Sequence, residues 1–477
     1  MEAVALVFTG MIMSLAAGIF VPLITQPVND RRMFIAVLPA VVSVLLSAML
    51  LGMVSRFPQT LMGGRFVLDP LALLLGTTVL FVASLVLIAS FEVARGRQTA
   101  ASYFSIAYMA LTGSILLVYT SSISLFIASW VLMSVASYVL AAIEKSRIAS
   151  DAALKYAVMG GVSTLFLIMW VGSAPYLSGD VLIAGGNVFS TPLLATAAAI
   201  MLVLAAGFKV GVFPFHAWLP DVYSNVNGTI VSLFTGVVKV AAFAGFIRMV
   251  TYTLVPPGAL ESLVMLIALL SVVTMTYGNL AALTTRNLQR IMAYSSIAHV
   301  GYLLLGVAAL AYAVRANEYN LGIIMFSTAA ITVHLIAYAV SKPGVFLLAS
   351  ANGVGDLRSL RGLYKKDRLM AFSLTVLVMS LLGMPPLAGF WGKLYLFQAV
   401  LPVSTVLLVI AIVNSGISSF YYARIVRELY QESEPGEQVP EIPAAIRVPV
   451  AILAILTILL GLGGMTIIFN NMAIMMP

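Results

Sequence analysis

The chain has 477 residues, of which 62% are hydrophobic and only 9% charged, whereas soluble domains carry about 25% charged residues. That composition excludes an ordinary soluble domain, and the net charge of +8 reads as membrane topology, not as a nucleic-acid surface. The chain contains no cysteine, which excludes thiolate-bound iron–sulfur clusters and disulfides within it. His216, His299 and His334 are too far apart for a local metal motif, and no phosphate-cradling glycine motif is present.

A membrane span needs about 20 apolar residues. On that criterion the expected architecture is an all-α polytopic membrane protein. Its spans are read at 3–25, 33–54, 68–91, 101–120, 122–143, 152–177, 190–219, 227–254, 260–284, 288–312, 321–350, 369–400, 402–424 and 448–474. Polar connectors such as PVNDRR, FEVARGRQ and EKSRIASD separate them. The longest connectors are Asp356–Arg368 and the acidic, Pro-rich Tyr430–Arg447. There is no basic leader before the first apolar run, so a cleaved signal peptide is not expected.

The distribution of basic residues sets the orientation. With the N-terminus outside, the outer connectors hold Arg56, Arg65, Arg248 and Arg315. The inner connectors then hold most of the 25 lysines and arginines. Both termini are therefore predicted outside. Four lysines belong to no connector: Lys209, Lys239, Lys342 and Lys393. The acids behave oppositely, and Asp69, Glu92, Glu144 and Asp151 sit in connectors or at span ends.

Charge inside a bilayer is expensive, so each such lysine is a candidate functional group. Lys209 precedes a break marked by Pro214 and Pro220, with His216, Trp218 and Asp221 around it. Lys393 follows a second break, marked by Gly383, Pro385, Pro386, Gly389 and Gly392. Corresponding interruptions in two halves point to a transport site built from internal repeats. The repeats are read as spans four to eight and nine to thirteen. Lys239 lies deep in span eight. Lys342 is followed by Pro343–Gly344, which reads as an inner helix end. Withdrawal from water disfavours the charged form of a lysine, bringing proton exchange within reach near neutral pH. A line of lysines joined by water is thus a candidate proton path.

His299 and His334 are placed deep in spans ten and eleven, and His216 in the first break. Each is either a relay or a neutral, hydrogen-bonded ring. Tyr294, Ser295, Ser296 and Tyr302 either line water or join helices by hydrogen bonds. Trp130, Trp170, Trp218 and Trp391 read as packing residues or interface anchors.

The stretches ALKYAVMGG, GFKVGVFPFHAWLPDVY, KVAAFAGFIRM, YGNLAALTTRNLQRIMAYSSIAHVGYLLLG and SLLGMPPLAGFWGKLYLF lie between Ala153 and Phe397, within the likeness that runs from about residue 68 to 400. In them the chain resembles the antiporter-like membrane subunits of the complex I family, most of all subunit N (subunit 2) of NADH–quinone oxidoreductase. The resemblance implies about fourteen helices, two inverted five-helix repeats, and breaks in helices seven and twelve. It divides one transmembrane domain into 1–100, a first repeat 101–254, a second 260–424, and a last span 448–474. It implies a lysine axis matched by Lys209, Lys239 and Lys393, a multi-pass location in a prokaryotic inner membrane, and proton translocation coupled to electron transfer elsewhere. The partners implied are other membrane subunits, further antiporter-like ones included, and the lipid bilayer. No nucleic acid and no cofactor in this chain are implied, whereas the partner subunits carry iron–sulfur clusters and a flavin or related cofactor.

Two positions depart from the family pattern. Members usually carry a glutamate in span five, in a motif like E-L-M-S, where this chain has Val131; Lys209 then lacks its expected partner. Lys342 matches sister subunits and cation/proton antiporters better than subunit N. The departures leave room for an archaeal or divergent relative that uses a deazaflavin, ferredoxin or a hydrogenase module in place of NADH. A subunit of a multichain sodium/proton antiporter and a non-pumping scaffold are the alternative readings.

Overall fold

A computed structural model describes residues 2–26, 30–54, 58–172, 192–252, 257–315, 321–351, 354–433 and 439–475. Outside them lie Arg56, the ends of spans six and eight (173–177 and 253–254), the start of span seven (190–191) and the middle of the acidic connector (434–438).

Hydropathy dictates the frame. Among the described residues twelve helices are long and apolar enough to cross a membrane, and Thr196–Val210 and Arg368–Leu382 are shorter apolar helices. The chain begins with α1 (Glu2–Thr25) and α2 (Asp30–Met53). A hairpin follows where hydropathy indicates only a connector: β1 (Gln59–Leu61) pairs antiparallel with β2 (Phe66–Leu68). Asp69 then caps α3 (Pro70–Ala94), accepting from the Ala72 N–H at 2.7 Å, with Pro70 at the first helical position. Next come α4 (Ala100–Tyr119), α5 (Ile123–Ala142) and α6 (Arg147–Gly172).

The first predicted break is real. Helix α7 (Pro192–Val210) stops at Gly211, whose φ is 89°. The Val212 N–H bonds back to the Gly207 carbonyl at 2.8 Å. A cis Phe213–Pro214 bond follows, then the short α8 (Trp218–Asn225). Asn227 caps α9 (Gly228–Leu233), which passes through a π-helical turn, Phe234–Val238, into α10 (Lys239–Tyr252). The second half continues with α11 (Pro257–Leu283), α12 (Leu288–Arg315), α13 (Leu321–Ala349) and the short α14 (Leu363–Lys366).

The second break repeats the first. Helix α15 (Arg368–Leu382) stops at Gly383, with φ 92°, and the Met384 N–H bonds to the Met379 carbonyl at 3.0 Å. A cis Pro385–Pro386 bond leads into α16 (Ala388–Val400). In both places a left-handed glycine satisfies the last carbonyls, which is how helices commonly end. The chain closes with α17 (Thr405–Leu429), α18 (Ala444–Leu459), a π-helical turn and α19 (Met465–Met475).

Helix α13 is the centre of the second half, buried along most of its length and packed against α3, α9, α12, α15, α16 and α18. It does not end at Pro343–Gly344, as the sequence suggested, but continues to Ala349. A neighbour's hydroxyl meets the interruption: Ser232 Oγ donates to the Pro343 carbonyl at 2.9 Å. Helices α1, α2, α6 and α17 instead expose large apolar side chains such as Leu6, Phe20, Phe34, Leu165 and Phe420. Such faces suit lipid, which solvates them as the core does.

The connector assignment of Arg248 is corrected. It lies inside α10, 1% exposed, with its two terminal nitrogens 3.0 Å from the two carboxylate oxygens of Asp69. Its Nε donates to the Val118 carbonyl at 3.1 Å. This bidentate pair joins α3, α4 and α10. Arg248→Ala strands a buried carboxylate and is expected to cost about 3–5 kcal/mol, read as a lower unfolding midpoint of the purified chain. An unchanged midpoint would show that the pair does not hold these helices together.

Candidate functional site

The four lysines that no connector accounted for are all buried: Lys209, Lys239, Lys342 and Lys393 are each 5% exposed or less. Among the described residues none of them pairs with a carboxylate. They face tyrosine rings and neutral hydrogen-bond partners instead.

Lys209, in the last turn of α7, has its Nζ 5.0 Å from the Tyr138 ring and 5.2 Å from the Tyr156 ring. It donates to the Tyr156 hydroxyl at 3.4 Å. Tyr156 stacks on Trp218, and Trp218 meets Tyr223 edge-on. Lys239 begins α10 directly after the π turn, and its Nζ lies 5.5 Å from the Tyr223 ring and 5.9 Å from the Tyr338 ring. That amine has no hydrogen-bond partner among the described residues. Turns of this π type concentrate at functional positions.

Beyond Lys239 the contacts become hydrogen bonds. Tyr338 also faces Lys342, at 5.9 Å. Lys342 Nζ donates to Ser295 Oγ at 2.6 Å, and Ser295 and Tyr422 share a hydroxyl–hydroxyl bond of 2.5 Å. The Tyr422 hydroxyl lies 3.3 Å from His299 Nε2, and His299 Nδ1 lies 3.1 Å from His334 Nε2. His334, Tyr338 and Lys342 recur at four-residue spacing on α13, so they share one face. Ser295, His299 and Tyr302, four and three residues apart on α12, likewise share a face.

Lys393 closes the line on α16. Its side chain folds back to the second break, donating to the Leu382 carbonyl at 2.8 Å and to Ser415 Oγ at 3.0 Å. Its Nζ lies 4.8 Å from the Tyr302 ring, and Tyr302 meets His299 edge-on. Close helix approach makes this possible: a Cβ on Gly392 would fall 2.9 Å from His334 Cα and Nδ1. Any side chain there separates α16 from α13.

Burying an ammonium group costs several kcal/mol. A desolvated cation over an aromatic face recovers about 2 kcal/mol, and hydroxyl and carbonyl acceptors recover more. Chemically the line offers groups that take up and release protons, within hydrogen-bond reach from Lys342 to His334.

The predicted residues divide clearly. Lys209, Lys239, Lys342, Lys393, His299, His334, Ser295 and Tyr302 come together. Ser296 joins them at the side, accepting from the Tyr338 hydroxyl at 3.0 Å. His216 does not join: it sits against the rings of Phe213 and Tyr277, and its Nδ1 has no partner among the described residues. Tyr294 packs on Tyr277, away from the line. Sequence reasoning missed Tyr138, Tyr156, Tyr223, Tyr338, Tyr422 and Ser415. Only Tyr338 carried a local signal, its four-residue spacing from Lys342. Among the described residues no group of three or more His, Asp or Glu side chains is arranged to hold a metal ion.

Comparison with known proteins agrees on the family. Residues 120–418 match the family described as NADH:quinone oxidoreductase/Mrp antiporter, TM. The NADH-quinone oxidoreductase subunit N of Desulfitobacterium hafniense is 33% identical over 330 residues, which is 66% of this chain and 66% of that protein. The match thus spans just under two thirds of that relative. Subunit N 2 of Acidobacterium capsulatum is 30% identical over 464 residues, 90% of each chain. Among solved structures, a chain of respiratory complex I from Thermus thermophilus with bound aureothin superposes with a TM-score of 0.79 at 28% identity, covering 96% of this chain and 98% of that one. A chain of the Mrp complex from Dietzia sp. has a TM-score of 0.81 at 18% identity, covering 100% and 97%, and shares the fold.

Ser295 is the hydroxyl on which the hydrogen-bonded part turns. Ser295→Ala leaves the Lys342 amine and the Tyr422 hydroxyl without this partner, and should cost about 1–3 kcal/mol in thermal or denaturant unfolding. Stability within error of wild type would mean that the contact is not made.

Proposed function

The chain belongs to the NADH:quinone oxidoreductase/Mrp antiporter transmembrane family, and on that premise we propose that it is a proton-translocating membrane subunit of a complex I-like oxidoreductase. The observation that carries the proposal is the single buried line of amines from Lys209 to Lys393, unaccompanied by carboxylates among the described residues. Protons move along Lys209, Lys239, Lys342, His299, His334 and Lys393 with intervening water. A charge on one lysine repels a charge on the next, so each arrival favours the departure ahead of it.

The reading includes fourteen crossings in two inverted five-helix repeats, with both termini outside a prokaryotic inner membrane. The ion pairs Lys155–Asp221, Arg361–Glu428, Arg447–Asp367 and Lys365–Glu432 support it, because all fall on the inner side of that topology. Electron transfer belongs to partner chains with iron–sulfur clusters and a flavin or related cofactor. Other membrane subunits, further antiporter-like ones among them, flank this chain in the bilayer.

The test uses the complex purified from its native membrane and reconstituted in vesicles. Lys239→Ala and Lys393→Ala are each expected to assemble normally and to lower proton translocation by about tenfold or more. Wild-type pumping in both variants would leave the scaffold reading. A purely membranous complex with sodium-dependent proton flux would favour the sodium/proton antiporter reading.

A further inference from the structure

We propose that the ring faces of Tyr138 and Tyr156 form an aromatic cage that does for the Lys209 ammonium what a paired carboxylate does elsewhere. The cage is a matter of geometry; only its consequence for proton movement rests on the function proposed above.

The lysine has little else to face. Its ammonium can donate three hydrogen bonds, and among the described residues it makes one, a long one of 3.4 Å to the Tyr156 hydroxyl. Both tyrosine centroids lie within the roughly 6 Å over which a ring face attracts a cation. The two rings stand 4.6 Å apart at 79°, so they form two walls of a corner.

Each wall is built into the packing. Tyr156 stacks on Trp218 at 4.2 Å and 13°, and the indole N–H of Trp218 donates to the carbonyl of Phe208, the residue before the lysine. The Tyr156 hydroxyl donates to Ser137 Oγ at 3.3 Å. Tyr138 is admitted by Gly160, where a Cβ would lie 1.7 Å from the phenol oxygen. Position 131, two turns earlier on α5, offers the lysine no acid: it is Val131, 37% exposed.

The difference from a carboxylate is chemical. A carboxylate attracts the ammonium and can also take its proton. A ring face attracts the charge but has no lone pair to receive the proton. In this cage the proton stays on Lys209 until a neighbour on the axis accepts it. Tyr138 and Tyr156 are therefore positioning residues for the first lysine of the line.

A double-mutant cycle on the full chain in nanodiscs tests the cage without reference to transport. Tyr138→Leu is measured in wild type and in Lys209→Met, and Tyr138→Phe alongside. The expected result is that Tyr138→Leu lowers the unfolding midpoint by about 2 °C or more beyond its effect in the Lys209→Met background, while Tyr138→Phe behaves like wild type. Equal losses in both backgrounds, or a Phe variant as impaired as Leu, would overturn the proposal. If Tyr138→Leu does not fold, the cycle compares Tyr156→Leu with Tyr156→Phe: Phe loses the hydroxyl's bonds to Lys209 and Ser137 but keeps the ring, so a further Lys209-dependent loss in Leu supports the cage and its absence overturns it. In the reconstituted complex Tyr138→Phe should keep proton translocation and Tyr138→Leu should lose it. Wild-type translocation in Lys209→Met alongside a non-additive cycle would reject the transport reading and leave the cage standing.

Discussion

An ammonium ion removed from water must face something polar or polarizable, and this chain removes four. That requirement organises the interior. Helices α9, α10, α12 and α13 are buried deepest, and they carry Lys239, Lys342 and most of the groups that face them. The partners are tyrosine faces, tyrosine and serine hydroxyls, and one helix-terminal carbonyl. None of these carries a formal negative charge, so each can support an amine without holding its proton permanently. A line of buried lysine–carboxylate pairs would gain more attraction, but it would desolvate the acids as well.

The two breaks place the ends of the line, and they do so asymmetrically. Both use a left-handed glycine, a back-bonded amide and a cis proline bond. Lys209 comes just before its break, on the first half-helix, whereas Lys393 comes after its break, on the second. The Lys393 side chain compensates by folding back to the carbonyl that the break frees, that of Leu382. A continuous helix would have spent that carbonyl on its own ladder. The interruption therefore creates an acceptor as well as bending the chain.

Not every buried charge belongs to the line. Arg248 and Asp69 are paired with each other and tie three helices beneath the hairpin. Their bidentate geometry satisfies both groups, which leaves the four lysines as the buried cations without an acid among the described residues. His216 likewise packs its ring against Phe213 and Tyr277 at its break, apart from the line.

Hydropathy by itself located nearly every long apolar helix, because transfer of a helix into lipid depends on its own residues and not on its neighbours. The glycine–proline clusters located both breaks for the same local reason. The four lysines emerged by elimination, since no connector could claim them. Contacts between distant helices were not legible in this way. Tyr422 meets Ser295 and His299 across more than a hundred residues, and only the fold sets Asp69 against Arg248, which reads in sequence as a connector residue. The aromatic corner around Lys209 comes from α5 and α6, and nothing in either helix alone marks its rings as facing a charge. Sequence determined which groups are costly to bury, because that cost belongs to each residue. The tertiary structure alone decided what repays the cost, because repayment depends on which helix faces come within a few ångströms of one another.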